Sequence, residues 1–195
     1  IFADLAWPQN VDWQKELEPC YEEARHMLGV TTNPALMEGE QVLRQLSRQM
    51  GVEDSYHPTE VGVFFGEPEK TVSDPYFLGK GPTRTGCVLC GGCMVGCRYG
   101  AKNTLDTNYL FFAQAWGAKV FAETSAKKII QFQDGYDVET VVSTAWFKKK
   151  GPTFRSKKVI LAAGVLGTVE LLLKNKEEYK TLPHISDCLG ERVRT

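Results

Sequence analysis

Four of the chain's six cysteines, Cys87, Cys90, Cys93 and Cys97, fall within eleven residues in the order C-x2-C-x2-C-x3-C, inside the stretch GCVLCGGCMVGCRYGAKNTL. Thiolates at that spacing wrap an inorganic core in the bacterial ferredoxin run. Gly86, Gly91, Gly92 and Gly96 would let the backbone curl tightly and aim N–H groups at sulfur. The spacing predicts an iron–sulfur cluster held by the four sulfurs. Arg98 stands where the ferredoxin run carries proline, and no second cysteine run exists. On this reading Cys20 or Cys188 supplies a missing ligand, or the cluster keeps three irons. Zinc fits less well, because its two C-x2-C knuckles usually lie about 15 residues apart. Free thiols or disulfides are the other reading.

A second stretch, VILAAGVLGTVELLLK, reads as a short buried strand over Val159–Leu161, the turn Ala162-Ala163-Gly164-Val165-Leu166-Gly167, and a helix through Leu173. Strand, A-x-G-x-x-G, helix is close to the turn that carries a dinucleotide, where small residues let backbone approach a cofactor and the helix N-terminus faces negative charge. Ala162 takes the place of the first glycine, and Asp187 lies in a proline-containing loop instead of at a strand end. The pattern suits a second contact on an already bound dinucleotide; a plain strand-to-helix turn is the alternative. Gly79-Lys80-Gly81 lacks a preceding strand and runs into Pro82, which excludes a phosphate loop. His26, His57 and His184 have no paired acid in sequence and read as surface or hydrogen-bonding residues.

The elements that must position these residues follow from periodicity and stop signals. Asp12 caps a turn, Pro19 suits a first helical position, and Tyr21, Ala24 and Leu28 repeat on one face until Gly29. Leu36, Leu43, Leu46 and Met50 form a second stripe closed by Gly51, whose expected role is core packing. From Ser55 to Arg84 prolines and glycines recur, while Tyr56, Phe64, Phe65, Tyr76 and Phe77 offer apolar anchors, which predicts an ordered irregular segment. Asn103 or Thr104 caps a helix bearing Leu105, Tyr109, Phe112 and Trp116, ended by Gly117. Strands are expected at Lys119–Ala122, Lys127–Gln133 and Tyr136–Trp146, with a hairpin at Asp134-Gly135 and a turn at Lys150-Gly151-Pro152.

Composition narrows the function class. At 195 residues and 43% hydrophobic, the chain can bury a core. Lys and Arg number 23 against 24 for Asp and Glu, so no basic field announces nucleic acid. Lys148-Lys149-Lys150 is the longest like-charge run and reads as a solvated turn. No apolar run approaches the ~20 residues of a membrane helix. Ile1 is not an initiator Met, no signal peptide precedes the first helix, and Thr195 ends the chain without a tail composition, so a segment of a longer polypeptide is expected.

The segments GCMVGCRYGAKNTLDTNYL, VILAAGVLGTVELLLK and TLPHISDCLGERVRT, in that order, resemble the glucose-methanol-choline (GMC) flavoprotein oxidoreductases, and within them the cholesterol-oxidase-like branch. DWQKELEPCYEEARHMLGV and VGVFFGEP are similar to the substrate-side cap of that branch. The resemblance implies an α/β chain, α+β in part: a fragment of an FAD-binding doubly wound fold with a β-meander, plus a helical and loop cap. It divides the chain into a cap-like segment over 1–85, a Cys/Gly-rich loop over 86–103 and part of an FAD-binding domain over 104–195. By position, Ala126 resembles the residue whose backbone meets the adenine, and Ala163-Gly164 the turn beside the ribose and pyrophosphate.

The same resemblance implies FAD as cofactor, a small-molecule alcohol (sterol-like or otherwise apolar) as substrate, hydride transfer to the flavin and an electron acceptor; the iron–sulfur cluster read from the cysteine spacing would give electrons a one-at-a-time exit and favour a dehydrogenase over an oxidase. The N-terminal G-x-G-x-x-G and the catalytic histidine of the family are absent from these residues, so no catalytic residue is assigned and the rest of the polypeptide or a partner chain must supply them. Neither nucleic acid nor a transmembrane segment is expected, and the expected location is cytoplasmic. The alternative is an iron–sulfur or zinc-stabilised electron-transfer or binding module without catalytic chemistry of its own.

Overall fold

Asp12 accepts the Lys15 N–H at 3.2 Å and starts α1, Trp13–Met27. The structure, a computed structural model, describes residues 7–147 and 149–193 and divides into two compact units, Ile1–Lys119 and Val120–Thr195. Expectations that rest on Ile1, Lys148 and Thr195 lie outside the described residues. Pro19 lies inside α1 instead of opening it, so the turn and helix expected there are one helix. The chain leaves α1 through Gly29 at φ 54°, where a Cβ would stand 2.6 Å from Asn103 Nδ2 and from the Tyr76 ring. Glycine is required there twice over, by conformation and by space.

After α1, the two-stranded sheets are β1 (Thr31–Thr32) with β2 (Glu60–Val61) and β3 (Thr71–Val72) with β4 (Arg84–Thr85), both antiparallel. Helix α2 spans Glu38–Gln49 and ends at Gly51 as expected, but its stripe does not pack into a core. Leu43 is 58% and Met50 66% exposed, with Leu36 and Leu46 also open. Periodicity identifies the face a helix would bury, not whether anything covers it.

The irregular segment between α2 and β4 is ordered by side chains. Asp74 accepts five contacts from the N–H groups of Tyr76, Phe77, Gly79 and Gly81 at 2.9–3.0 Å. Phe77 packs edge-to-face on Phe112 at 4.9 Å and on His26 at 5.7 Å, and Tyr76 on Phe64 at 6.1 Å. Arg84, 1% exposed, donates to Asn103 Oδ1 and to the carbonyls of Pro82, Thr83 and Thr107 at 2.7–3.1 Å. Three stretches of chain, 82–83, Asn103 and Thr107, therefore meet at one guanidinium. Residues Leu105–Thr107 form a 3-10 turn, and Asn108 caps the short helix α3, Tyr109–Ala115.

The second unit is a three-stranded antiparallel meander, β5 (Thr124–Phe132), β6 (Gly135–Val142) and β7 (Lys150–Ser156), followed by α4 (Val165–Leu173). The hairpin falls where expected, with Phe132 paired to Gly135. Its third strand is not the expected one. Lys150-Gly151-Pro152 opens β7 instead of turning the chain, while Lys119–Ala122 and Val159–Leu161 join no strand. A strand exists only through its neighbour's ladder, and no described strand runs beside either segment; Ile160 is 89% exposed. The observed class is mixed α/β with small sheets. Among the described residues, no helix is long and apolar enough to cross a membrane.

Partial burial pushes the Asp74 carboxyl up, but the N–H groups of Tyr76, Gly81, Phe77 and Gly79 outweigh it and hold it below the ordinary carboxylate range. A depressed carboxyl stabilises the fold in full above its unfolded pKa, about 3.9, and loses that contribution as the pH falls toward the folded value. Asp74→Asn is expected to cost about 2 kcal/mol at pH 7, and the deficit should shrink below pH 4. Urea denaturation at both pH values measures it.

Candidate functional site

Asn175 organises the region around Ala126, which alone of the three expected cofactor contacts lines the cleft described below. It sits in a π-helical turn, Lys174–Glu178, that extends α4, and it is fully buried. Its Oδ1 accepts the Ile129 N–H at 2.7 Å and the Thr181 hydroxyl at 2.9 Å; its Nδ2 donates to Leu171 O at 2.8 Å and Lys127 O at 3.3 Å. Lys127 is the extra residue of a β-bulge: Ala126 pairs with Thr140 and Lys128 with Glu139, leaving Lys127 without a partner in β6. A bulge frees backbone groups that burial would make costly. The carboxamide of Asn175 satisfies the Lys127 carbonyl and, with the Ile129 N–H on the same outer strand, ties α4 beside β5.

The space left between the two elements is a cleft of about 370 Å³ lined by Ala126, Lys127, Val141, Gly167, Lys174 and Tyr179. That is within the usual range for a ligand pocket. Ala126 on β5 and Gly167 on α4 face the same space, and both are small. Glu170 and Lys174 also line it and pair with each other, which lowers the Glu170 carboxyl and raises the Lys174 ammonium. Lys127 and Lys128 place their ammonium groups over the Tyr179 ring, 5.7 and 5.1 Å from its centre. Two lysines against one glutamate on the cleft wall favour an anionic ligand.

Ala163-Gly164 immediately precede α4. Gly164 has φ 93° and ψ 156°, a conformation restricted to glycine, and accepts the Thr168 N–H at 3.0 Å as the helix begins. A Cβ there would meet nothing within 4 Å. Conformation alone therefore demands the glycine, and the space beside it is open to a ligand. Small Ala126, open Gly164 and a cleft with lysines fit a nucleotide portion of FAD in main-chain contact. Asp187 is engaged by Lys176, and the pairing lowers its carboxyl. His184 lines a separate cleft of about 320 Å³ with Ile129, Tyr136 and Leu161.

The cysteine loop belongs to the first unit. Gly91 (φ 70°) and Gly96 (φ 108°) supply the expected curl, and a Cβ on Gly86 would lie 2.0 Å from Glu67 O. Cys87, Cys90, Cys93 and Cys97 line one cavity, but its volume is about 10 Å³. That is room for about one water, not for an iron–sulfide core. Among the described residues, no three His, Cys, Asp or Glu side chains are grouped to hold a metal. Cys20, on α1, and Cys188 line no part of this cavity. The expected iron–sulfur cluster is therefore not supported: the four cysteines line one cavity that is too small for its core, and no three of them are grouped as ligands.

Sequence reasoning did not find Asn175. Its neighbours KNKEE are polar and non-periodic, and only the unpaired Lys127 on β5 reveals what the amide is for.

The GMC oxidoreductase family model matches residues 83–176. The chain is 44% identical over 201 residues to a cholesterol oxidase of Mycobacterium tuberculosis strain CDC 1551 and equally to that of strain H37Rv, covering 100% of this chain and 35% of the relative. It is 43% identical over 205 residues to a cholesterol oxidase of Acinetobacter baumannii, covering 100% of this chain and 37% of the relative. It thus spans about a third of the length of the curated relatives it matches. No solved structure matches.

Asn175→Leu should leave the Ile129 N–H and the Lys127 carbonyl buried without partners. The expected loss is about 2–4 kcal/mol, read by urea denaturation. Asn175→Asp, which keeps the acceptor but sets a buried carboxylate against the Leu171 and Lys127 carbonyls, should cost at least as much at pH 7.

Proposed function

Because this chain belongs to the GMC oxidoreductase family, we propose that it is the part of an FAD-dependent alcohol oxidase in which the β5–α4 cleft takes a nucleotide portion of the cofactor. The carrying observation is that cleft, with Ala126 on one wall, Gly167 on the other and Gly164 one helical turn away. Bound FAD would supply the hydride acceptor for alcohol oxidation, with dioxygen as terminal acceptor and hydrogen peroxide as product.

The chain's own residues bind and orient. The Gly164 turn offers backbone where a side chain would stand, and the lysines of the cleft favour phosphate charge. Ala126 keeps β5 free of a bulky side chain on that wall. The first unit, with its aromatic cluster around Phe77, is proposed as the cap side, and a doubly wound fold is proposed for the whole protein. An apolar, sterol-like alcohol is the proposed substrate, supported by the name of the relatives. An iron–sulfur electron exit forms no part of this reading, since the cysteine cavity does not accommodate it.

The full-length protein should carry a flavin, and anaerobic addition of a sterol alcohol should bleach its absorbance. A colourless protein, or a flavin that no alcohol reduces, would contradict the proposal. Ala126→Leu should lower the flavin-to-protein ratio while leaving the far-ultraviolet circular dichroism unchanged.

A further inference from the structure

Between β6 and β7 the chain reads Ser143-Thr144-Ala145-Trp146-Phe147-Lys148-Lys149-Lys150. Hairpin connections ordinarily carry Gly, Asn, Asp or Pro, which supply the turn. None of these stands between Val142 and Gly151. Trp146 is instead 99% and Phe147 87% exposed, and Lys149 and Lys150 are open beside them. At that exposure neither ring contributes packing to the meander, so its stability does not explain two large aromatics at the tip.

The tip is tied to the chain that enters β5. The Ser143 N–H donates to Glu123 O at 2.9 Å, and the Thr144 hydroxyl donates to Glu123 Oε2 at 3.1 Å. Phe121 lies in that chain, half exposed, with its ring centre 4.6 Å from that of Phe154 on β7; Val120 is exposed beside it. One end of the meander therefore presents Val120, Phe121, Trp146 and Phe147, with Glu123 and the three consecutive lysines as its charges. An exposed apolar patch rimmed by polar residues marks a contact surface. The lysines decide what it contacts. Three adjacent ammonium groups resist burial against protein, whereas an anionic lipid surface attracts each of them, and aromatic rings settle at its headgroup level.

We propose that the β6–β7 tip is a peripheral anchor for an anionic lipid surface. Trp146 and Phe147 enter the headgroup layer, and Lys149 and Lys150 stay at its aqueous edge against the lipid charges. Two rings and a short run of charge give reversible attachment. Glu123 opposes it as a single negative charge, already engaged by Thr144. No residue of the tip lines the β5–α4 cleft, so the anchor stands or falls apart from the cofactor reading.

The test sediments the full-length protein with vesicles of phosphatidylcholine and phosphatidylserine, and with vesicles of phosphatidylcholine alone. Both are free of sterol, so that recognition of a substrate does not enter. Binding is expected on the mixed vesicles, falling as salt is raised. Lys149→Gln combined with Lys150→Gln should weaken it about 25-fold, at roughly five-fold for each lysine. Trp146→Ser should remove the blue shift of tryptophan emission that the mixed vesicles produce. Both variants should keep the far-ultraviolet circular dichroism of the unaltered protein; should either fail to fold, the lipid preference and salt dependence of the unaltered protein decide. Equal binding to both kinds of vesicle, binding to neither, or a blue shift that survives Trp146→Ser would overturn the proposal. So would a Trp146 emission shielded from acrylamide before vesicles are added, since the rest of the polypeptide would then cover the tip. Tighter binding to a single-stranded oligonucleotide than to the mixed vesicles would overturn it as well, assigning the tip to a polynucleotide.

Discussion

A buried peptide group must find a hydrogen-bond partner, and in this chain polar side chains meet that demand where the strands do not. Asn175 bonds the Lys127 carbonyl at the β5 bulge, the Ile129 N–H on the same outer strand and the Leu171 carbonyl of α4, all with one carboxamide. Arg84 does the corresponding work in the first unit for the carbonyls of Pro82, Thr83 and Thr107. Few apolar side chains are fully shielded: among the described residues, Val63, Ala101 and Ile129. Burial of a few residues could not by itself fix long irregular segments against their conformational entropy. The polar anchors set the positions, and apolar contacts such as Phe77 on Phe112 fill in around them.

The candidate cofactor cleft follows from this constraint. A bulge at Lys127 alters the register of β5, Asn175 seizes the exposed groups, and α4 is held at a distance that leaves the Ala126–Gly167 space. Gly164 then starts α4 in a conformation that no other residue adopts readily. The bulge and the glycine look like local irregularities. The bulge shapes one wall of the cleft and the glycine starts the helix that forms the other, which suits the cofactor contact proposed above.

Local chemistry was well signalled by sequence, and tertiary context was not. The Phe132–Gly135 hairpin, the stops at Gly29 and Gly51, the curl of the cysteine loop and the importance of Gly164 could be read from residue type, because each is a rule about one backbone position. The Leu36–Met50 stripe was legible as a helix face, but its exposure depends on what else packs there. Val159–Leu161 has strand composition without a described partner strand, and β7 was hidden because Gly151 and Pro152 advertise a turn. The cysteine spacing matched a cluster motif, yet spacing in sequence does not fix the cavity the folded loop leaves between the sulfurs. Asn175 left no periodic trace at all.

In the function proposed above, β5 and the start of α4 touch the nucleotide portion of FAD. Hydrogen exchange read by mass spectrometry, on the full-length protein with and without FAD, measures that contact. Slower exchange on FAD binding is expected in peptides covering 124–128 and 163–168. Protection confined to other parts of the protein, with both of these peptides unchanged, would contradict it.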